Sequence, residues 1–194
     1  MIRRMDEQFA EQLKEYGLDE IYPYPIELLR ESERMHNQHR LKNFNQMRAN
    51  PYINGYSVTG LVDHSICGEG LWNLMREFKP GIADTVERGF APLRWCLFVK
   101  RTHVYRGRSF SVRGVLANED VLTVGQKYPI RVCITGESGV VWHKEYAVMI
   151  TEEMTQGMSV PVFDESIVLD VPEGKYHLRA EILEHATAAD GCIP

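Results

Sequence analysis

The side chains with the most chemistry to offer within one short stretch are Asp63, His64, Glu69 and Trp72. They follow an apolar run, Ile53, Tyr56, Val58, Leu61 and Val62, which reads as a short buried strand rich in β-branched residues. Carboxylates on the loop after a strand can accept hydrogen bonds from a ligand, and an indole can stack on a ring. The plainer reading makes Asp63 and His64 loop-orienting groups, places Glu69 in the first turn of a following helix and lets Trp72 pack. Residue types alone favour the plainer reading.

Other constellations carry less. Glu33 and His36 form one ExxH pair, with His39 three residues on. A carboxylate-bridged di-iron centre needs such pairs from two helices, so a solvated helix face is expected. Gly68 and Gly70 open a dinucleotide fingerprint, but Asn73 occupies the third glycine position and the pattern fails. His103, Tyr105, Arg106 and Arg108 make a small basic and aromatic patch before a strand, suited to an anionic ligand or to a solvated interdomain surface. GxSxG, HExxH and P-loop motifs are absent. The four cysteines, Cys67, Cys96, Cys133 and Cys192, are scattered without a CxxC and read as free, partly buried thiols of a reducing compartment. No catalytic residue, metal ligand or cofactor is assigned from the sequence.

The elements that must position these residues come in two regimes. Met5, Phe9, Leu13 and Tyr16 recur at helical spacing, and Gly17 stops that helix. Pro25 then suits the first position of a long helix over Ile26–Arg48, which Asn50-Pro51 ends. The strand at Ile53–Leu61 and a helix over Leu71–Phe78, stopped by Lys79-Pro80-Gly81, complete an α/β rhythm. Beyond about Pro92 the pattern alternates with period two. Phe110, Val112, Gly114 and Leu116 share one face, as do Tyr128, Ile130, Val132 and Ile134. So do Val140, Trp142, Tyr146, Val148 and Ile150, then Ile167, Leu169 and Val171, then Tyr176, Leu178, Ala180 and Ile182. Antiparallel strands with one apolar face each signal a β-sandwich, with Trp142, Tyr128, Val132, Leu169 and Leu178 expected in its core.

Composition closes off several classes. The 194 residues carry 22 basic and 27 acidic side chains, a net charge of −5, with 44% hydrophobic residues. That is globular, long enough for a core, and without the basic stripe of a nucleic-acid binder. No apolar run approaches the ~18 residues of a membrane span. Asp6, Glu7 and Glu11 interrupt any signal core, so the chain as given is expected to be cytoplasmic.

Asn54–Gly81, NGYSVTGLVDHSICGEGLWNLMREFKPG, resembles the end of the catalytic barrel in bacterial proteins of the glycoside hydrolase family 2 type. Ala91–Val99 (APLRWCLFV) and Val115–Val121 (VLANEDV) resemble the opening of the Ig-like sandwich that follows that barrel. The resemblance covers about Tyr16 to Ile182 and rests on whole segments rather than on one compact signature. It implies an α+β chain. An N-terminal remnant of a (β/α) barrel, helices and one buried strand over 1–92, precedes an antiparallel Ig-like β-sandwich over 93–185 and a flexible tail over 186–194. Ile26–Arg48 would be the helix before the last barrel strand, Ile53–Leu61 that strand, and Leu71–Phe78 a helix after it. The loop after a barrel strand lies at the catalytic face, which raises Asp63, His64, Glu69 and Trp72 as sugar contacts.

The family hydrolyses β-linked glycosides with retention, using two glutamates on earlier strands. Their motifs have no match here, and Asn118-Glu119 falls in a sandwich turn. The resemblance therefore implies a C-terminal portion lacking its catalytic pair, inactive alone, with carbohydrate as partner. Self-association, or contact with an upstream barrel, is the further expectation. The alternative from another class is a stand-alone, non-catalytic module binding carbohydrate or protein through its sandwich. A third reading, a metal enzyme built on Glu33, His36 and His39, would require metal in the purified protein.

Overall fold

The structure is a computed structural model describing residues 2–64 and 67–183. The tail expected over 186–194 lies outside the described residues. The chain is a mixed α+β protein that divides into two compact units. The first comprises Met1–Leu41 and Ser57–Val86, and the second Lys42–Tyr56 with the chain from Glu87 on.

Among the described residues of the second unit, six strands form two antiparallel sheets of three. The strands are β1 (Leu93–Val99), β2 (Ser109–Asn118), β3 (Lys127–Gly136), β4 (Gly139–Met149), β5 (Ser159–Val168) and β6 (His177–Ile182). One sheet has the order β1-β2-β5 and the other β4-β3-β6. Trp95, Leu97, Val112, Leu116, Val160 and Phe163 of the first sheet join Tyr128, Ile130, Val132, Leu178 and Ala180 of the second in a single core cluster. The inner faces therefore pack on each other in sandwich fashion, as the alternation required. Phe163 ties the layers, stacking on Tyr146 at 5.4 Å between ring centroids and lying 6.4 Å from Trp95. Gly114 stands opposite Phe163, where an added Cβ would come 2.1 Å from the ring, so only glycine lets the ring lie flat against the strand.

Tyr128, Val132, Leu169 and Leu178 are buried as expected, whereas Trp142 is half-buried and packs at the margin of the core. The register explains the difference at this end of β4. It shifts between Ile134 and Thr135, so Trp142 pairs with Ile134 but Val140 with Thr135. Val141 is the extra residue; it packs on the core, and Val140 turns out at 60% exposure.

The helices are α1 (Ile2–Glu15), α2 (Pro25–Arg48), α3 (Ile82–Phe90) and the short α4 (Glu152–Gln156). Gly17 ends α1 at φ 64°, and Pro25 opens α2. In the second unit the last turns of α2 close over the outer face of β1. Asn45 accepts a hydrogen bond from the buried Arg94, whose other arm donates to the Arg88 carbonyl at 2.6 Å. Phe44, Tyr56 and Phe90 form an aromatic cluster with centroids 5.2–5.6 Å apart.

The segment between α2 and α3 departs from the sequence reading twice. Ile53–Leu61 is not a buried strand: it has no ladder partner among the described residues, and Ile53 and Leu61 are 40% and 58% exposed. Gly60, at φ 72°, turns the chain out of extended geometry, and a two-faced parallel strand needs neighbours on both edges. Leu71–Phe78 is not a helix. The Asn73 side chain accepts hydrogen bonds from the Met75 and Glu77 amides at 2.9 and 3.0 Å, and Arg76 adopts φ 62°. An asparagine that captures nearby amides substitutes a turn for the helix. The helix in this region is α3, beginning just after the Lys79-Pro80-Gly81 stop signal.

Candidate functional site

The loop from Leu61 to Lys79, in the first unit, holds all four residues singled out as sugar contacts. It is a narrow ribbon rather than a strand-to-helix turn. The Asp63 amide donates to the Trp72 carbonyl at 2.9 Å, and the Trp72 amide donates to the Leu61 carbonyl at 2.9 Å. Asp63 faces inward. Its Oδ1 accepts from the Gly70 amide at 2.7 Å and from Lys79 Nζ at 2.8 Å. The Lys79 side chain is only 3% exposed, and it also donates to the Gly68 carbonyl at 2.5 Å. A buried ammonium is tolerable only when paired and fully hydrogen-bonded, so Asp63 and Lys79 form the pin of the loop. Gly70 must be glycine, because a Cβ there would meet the Asp63 amide at 2.5 Å.

His64 and Glu69 are exposed on the same loop, while Trp72 is half-buried and meets Phe78 edge to face at 5.5 Å. The structure thus separates the four. Asp63 is engaged with Lys79 and Trp72 with Phe78, while His64 and Glu69 are exposed, Glu69 beside the Arg40 guanidinium. It also brings in a residue the sequence reading left aside. His64, Cys67 and Glu69 place one nitrogen, one sulfur and one carboxylate oxygen within 4.8 Å of one another. The sequence signal for this group is the spacing H-x-x-C-x-E.

Two α2 residues lie in this electrostatic neighbourhood. Burial pushes the Glu33 carboxyl up, with Lys79 opposing and Asp63 adding to the rise. Burial pushes the His36 imidazole down, with Arg40, Lys79 and His39 adding. Both side chains are half-buried, so this part of α2 is less solvated than its charge pattern implied; His39 is exposed. The Arg40 guanidinium donates to the Glu69 carbonyl.

The second unit carries a different feature, an open cleft of about 670 Å³ in the β1–β2 connection. Arg101, His103, Tyr105, Arg106 and Arg108 line it. Arg101, Arg106 and Arg108 bring three permanent cations to it, and no acidic residue falls between positions 100 and 108. Tyr105 is 78% exposed, and among the described residues Arg106 pairs with Asp170 at 2.5 Å. Gly107 at φ 67° turns the loop, and its amide donates to the Leu169 carbonyl at 2.9 Å.

Of the remaining cysteines, Cys96 is a fully buried free thiol, and burial pushes its pKa up, which makes it unreactive. Cys133 is buried on β3, and Cys192 lies outside the described residues. No helix among the described residues is long and apolar enough to cross a membrane.

Neither a family model nor a curated protein matches the chain. Among solved structures, the solution structure of R. palustris CsgH is similar at a TM-score of 0.28 and 17% identity, over 52% of this chain and 86% of that one. The likeness is too loose to define the fold or a role.

Proposed function

We propose that the chain is the C-terminal portion of a glycoside hydrolase family 2-like protein, with an Ig-like sandwich that buttresses the end of a catalytic barrel. The full protein would hydrolyse a β-linked glycoside, and this portion would contribute no catalytic carboxylate. The observation that carries the reading is the thin core of the first unit. Among its described residues, Leu13 and Ile82 are the fully buried large apolar side chains. Tyr16, Ile21, Tyr24, Leu61, Met75 and Phe78 stand 58–80% exposed. An assembly with that much uncovered apolar surface is the expected state of elements whose barrel neighbours belong to another stretch of chain. Asp63, already bound by Lys79, and Glu69, on the same short loop, are poorly placed to attack one bond from two directions.

An antibody raised against the sandwich tests this in a native extract. The expected result is a polypeptide well above the 22.4 kDa of this chain, eluting with aryl β-glycosidase activity. A band at the mass of this chain, free of such activity, would overturn it.

The cleft in the β1–β2 connection favours a second reading, a non-catalytic module holding an anionic carbohydrate. Three arginines beside an exposed tyrosine, with Asp170 pairing Arg106, make a local attraction opposed to the overall field of a chain of net charge −5. Retention on an acidic polysaccharide that disappears with Arg101→Glu and Arg108→Glu would support it, and equal retention of wild type and variants would reject it.

A further inference from the structure

We propose that His64, Cys67 and Glu69 form a binding site for a divalent cation of the zinc class. The three donor atoms lie within 4.8 Å of one another. In a tetrahedral site with metal–ligand bonds of ~2.0–2.3 Å, the donors stand about 3.5 Å apart. A closure of that size is within reach of side-chain rotation, since His64 and Glu69 are exposed. The backbone supplies the fixed frame. The His64 amide donates to the Cys67 carbonyl at 3.3 Å, and the Cys67 amide donates back to the His64 carbonyl at 2.9 Å. This pairing holds the His64 and Cys67 backbones side by side. Arg40, bound to the Glu69 carbonyl, and the Asp63–Gly70 hydrogen bond of 2.7 Å fix the third ligand's backbone.

The donor set selects the ion. Nitrogen, sulfur and oxygen together suit a borderline-soft cation, whereas magnesium and calcium take all-oxygen shells. Asp63 is paired with Lys79 at 2.8 Å, so the Cys67 thiolate and the Glu69 carboxylate are the negative charges offered to a dication, with the Arg40 guanidinium beside Glu69 as the opposing charge. On binding, the six-coordinate aquo ion sheds all but one of its waters, three protein–metal bonds form, and the Cys67 thiol proton passes to solvent; the remaining water keeps the fourth tetrahedral position. The site is independent of the glycosidase reading, because its test requires no substrate.

The experiment uses the full chain carrying Cys192→Ser, kept reduced and titrated with Co²⁺ as the spectroscopic stand-in for Zn²⁺. The expected result is a thiolate-to-cobalt charge-transfer band saturating at one equivalent and erased by added Zn²⁺. Cys67→Ser should abolish the band, while His64→Ala and Glu69→Gln should each weaken binding at least tenfold with far-ultraviolet circular dichroism unchanged. Absence of the band, or its survival in Cys67→Ser, would overturn the proposal. So would unaltered affinity in both His64→Ala and Glu69→Gln, which would reduce Cys67 to a lone reactive thiol.

Discussion

Single side chains decide where this molecule is firm. Trp95 is 1% exposed at the centre of the two-sheet core, and Trp142 sits at its margin. Truncating a fully buried tryptophan costs ~3–5 kcal/mol, so Trp95→Ala should unfold the sandwich well before Trp142→Ala does, as read by thermal melting. Equal melting temperatures for the two variants would contradict the burial order. Asp63 is the matching residue in the first unit. Asp63→Ala strands the Lys79 ammonium at 3% exposure, and breaking a buried pair costs ~3–5 kcal/mol. Limited proteolysis should then open the Leu61–Lys79 loop, while Glu69→Gln leaves it closed. The sequence supplied the identities here but not the pairing. Nothing in the spacing of Asp63 and Lys79 marks a buried ion pair, because the partners meet only when the ribbon folds back. The His64–Cys67–Glu69 group is a spacing present in the sequence, but three donors meet only where the backbone pairing of His64 with Cys67 folds the loop, which the spacing alone does not show.

Elements with a strong local period were legible, and those set by non-local partners were not. α1, α2 and the alternating strands follow from apolar spacing, Gly17 and Pro25. The Ile53–Leu61 run looked like a strand by composition, but a strand exists only with a neighbour to bond. The Leu71–Phe78 run had helical spacing, and one asparagine side chain overruled it. Asn73→Ala removes the acceptor for two amides, at 2.9 and 3.0 Å, and should cost ~1 kcal/mol locally. Hydrogen exchange at Met75 and Glu77 should quicken; unchanged rates would show that the turn stands without the asparagine. Between β4 and β5 the link is electrostatic. Glu165 accepts from Lys144 at 2.6 Å and Tyr146 at 2.9 Å, and these bonds hold its carboxyl below the usual range. A depressed folded pKa gives stability that is present above the unfolded value of ~4.3 and lost as pH falls through the folded one. Acid melting of Glu165→Gln should therefore fall less steeply with pH than that of wild type over this window, and parallel curves would remove Glu165 from the acid response.

At the scale of the whole molecule the two units differ in kind. The second unit buries a continuous two-sheet core, with side chains from both layers in one cluster. The first has helices, a pinned ribbon and a wide uncovered apolar surface. The isolated chain should accordingly release no nitrophenol from aryl β-galactosides, glucuronides or mannosides; turnover lost in Glu69→Gln would show catalytic machinery of its own. Amide hydrogen exchange on a strictly monomeric sample tests whether the first unit needs further chain to complete it. Slow exchange is expected in the β2 and β3 ladders and fast exchange across Ser57–Gly81, apart from amides held by Asp63 and Asn73. Uniformly slow exchange through both units would contradict that need, marking the first unit as a self-sufficient fold.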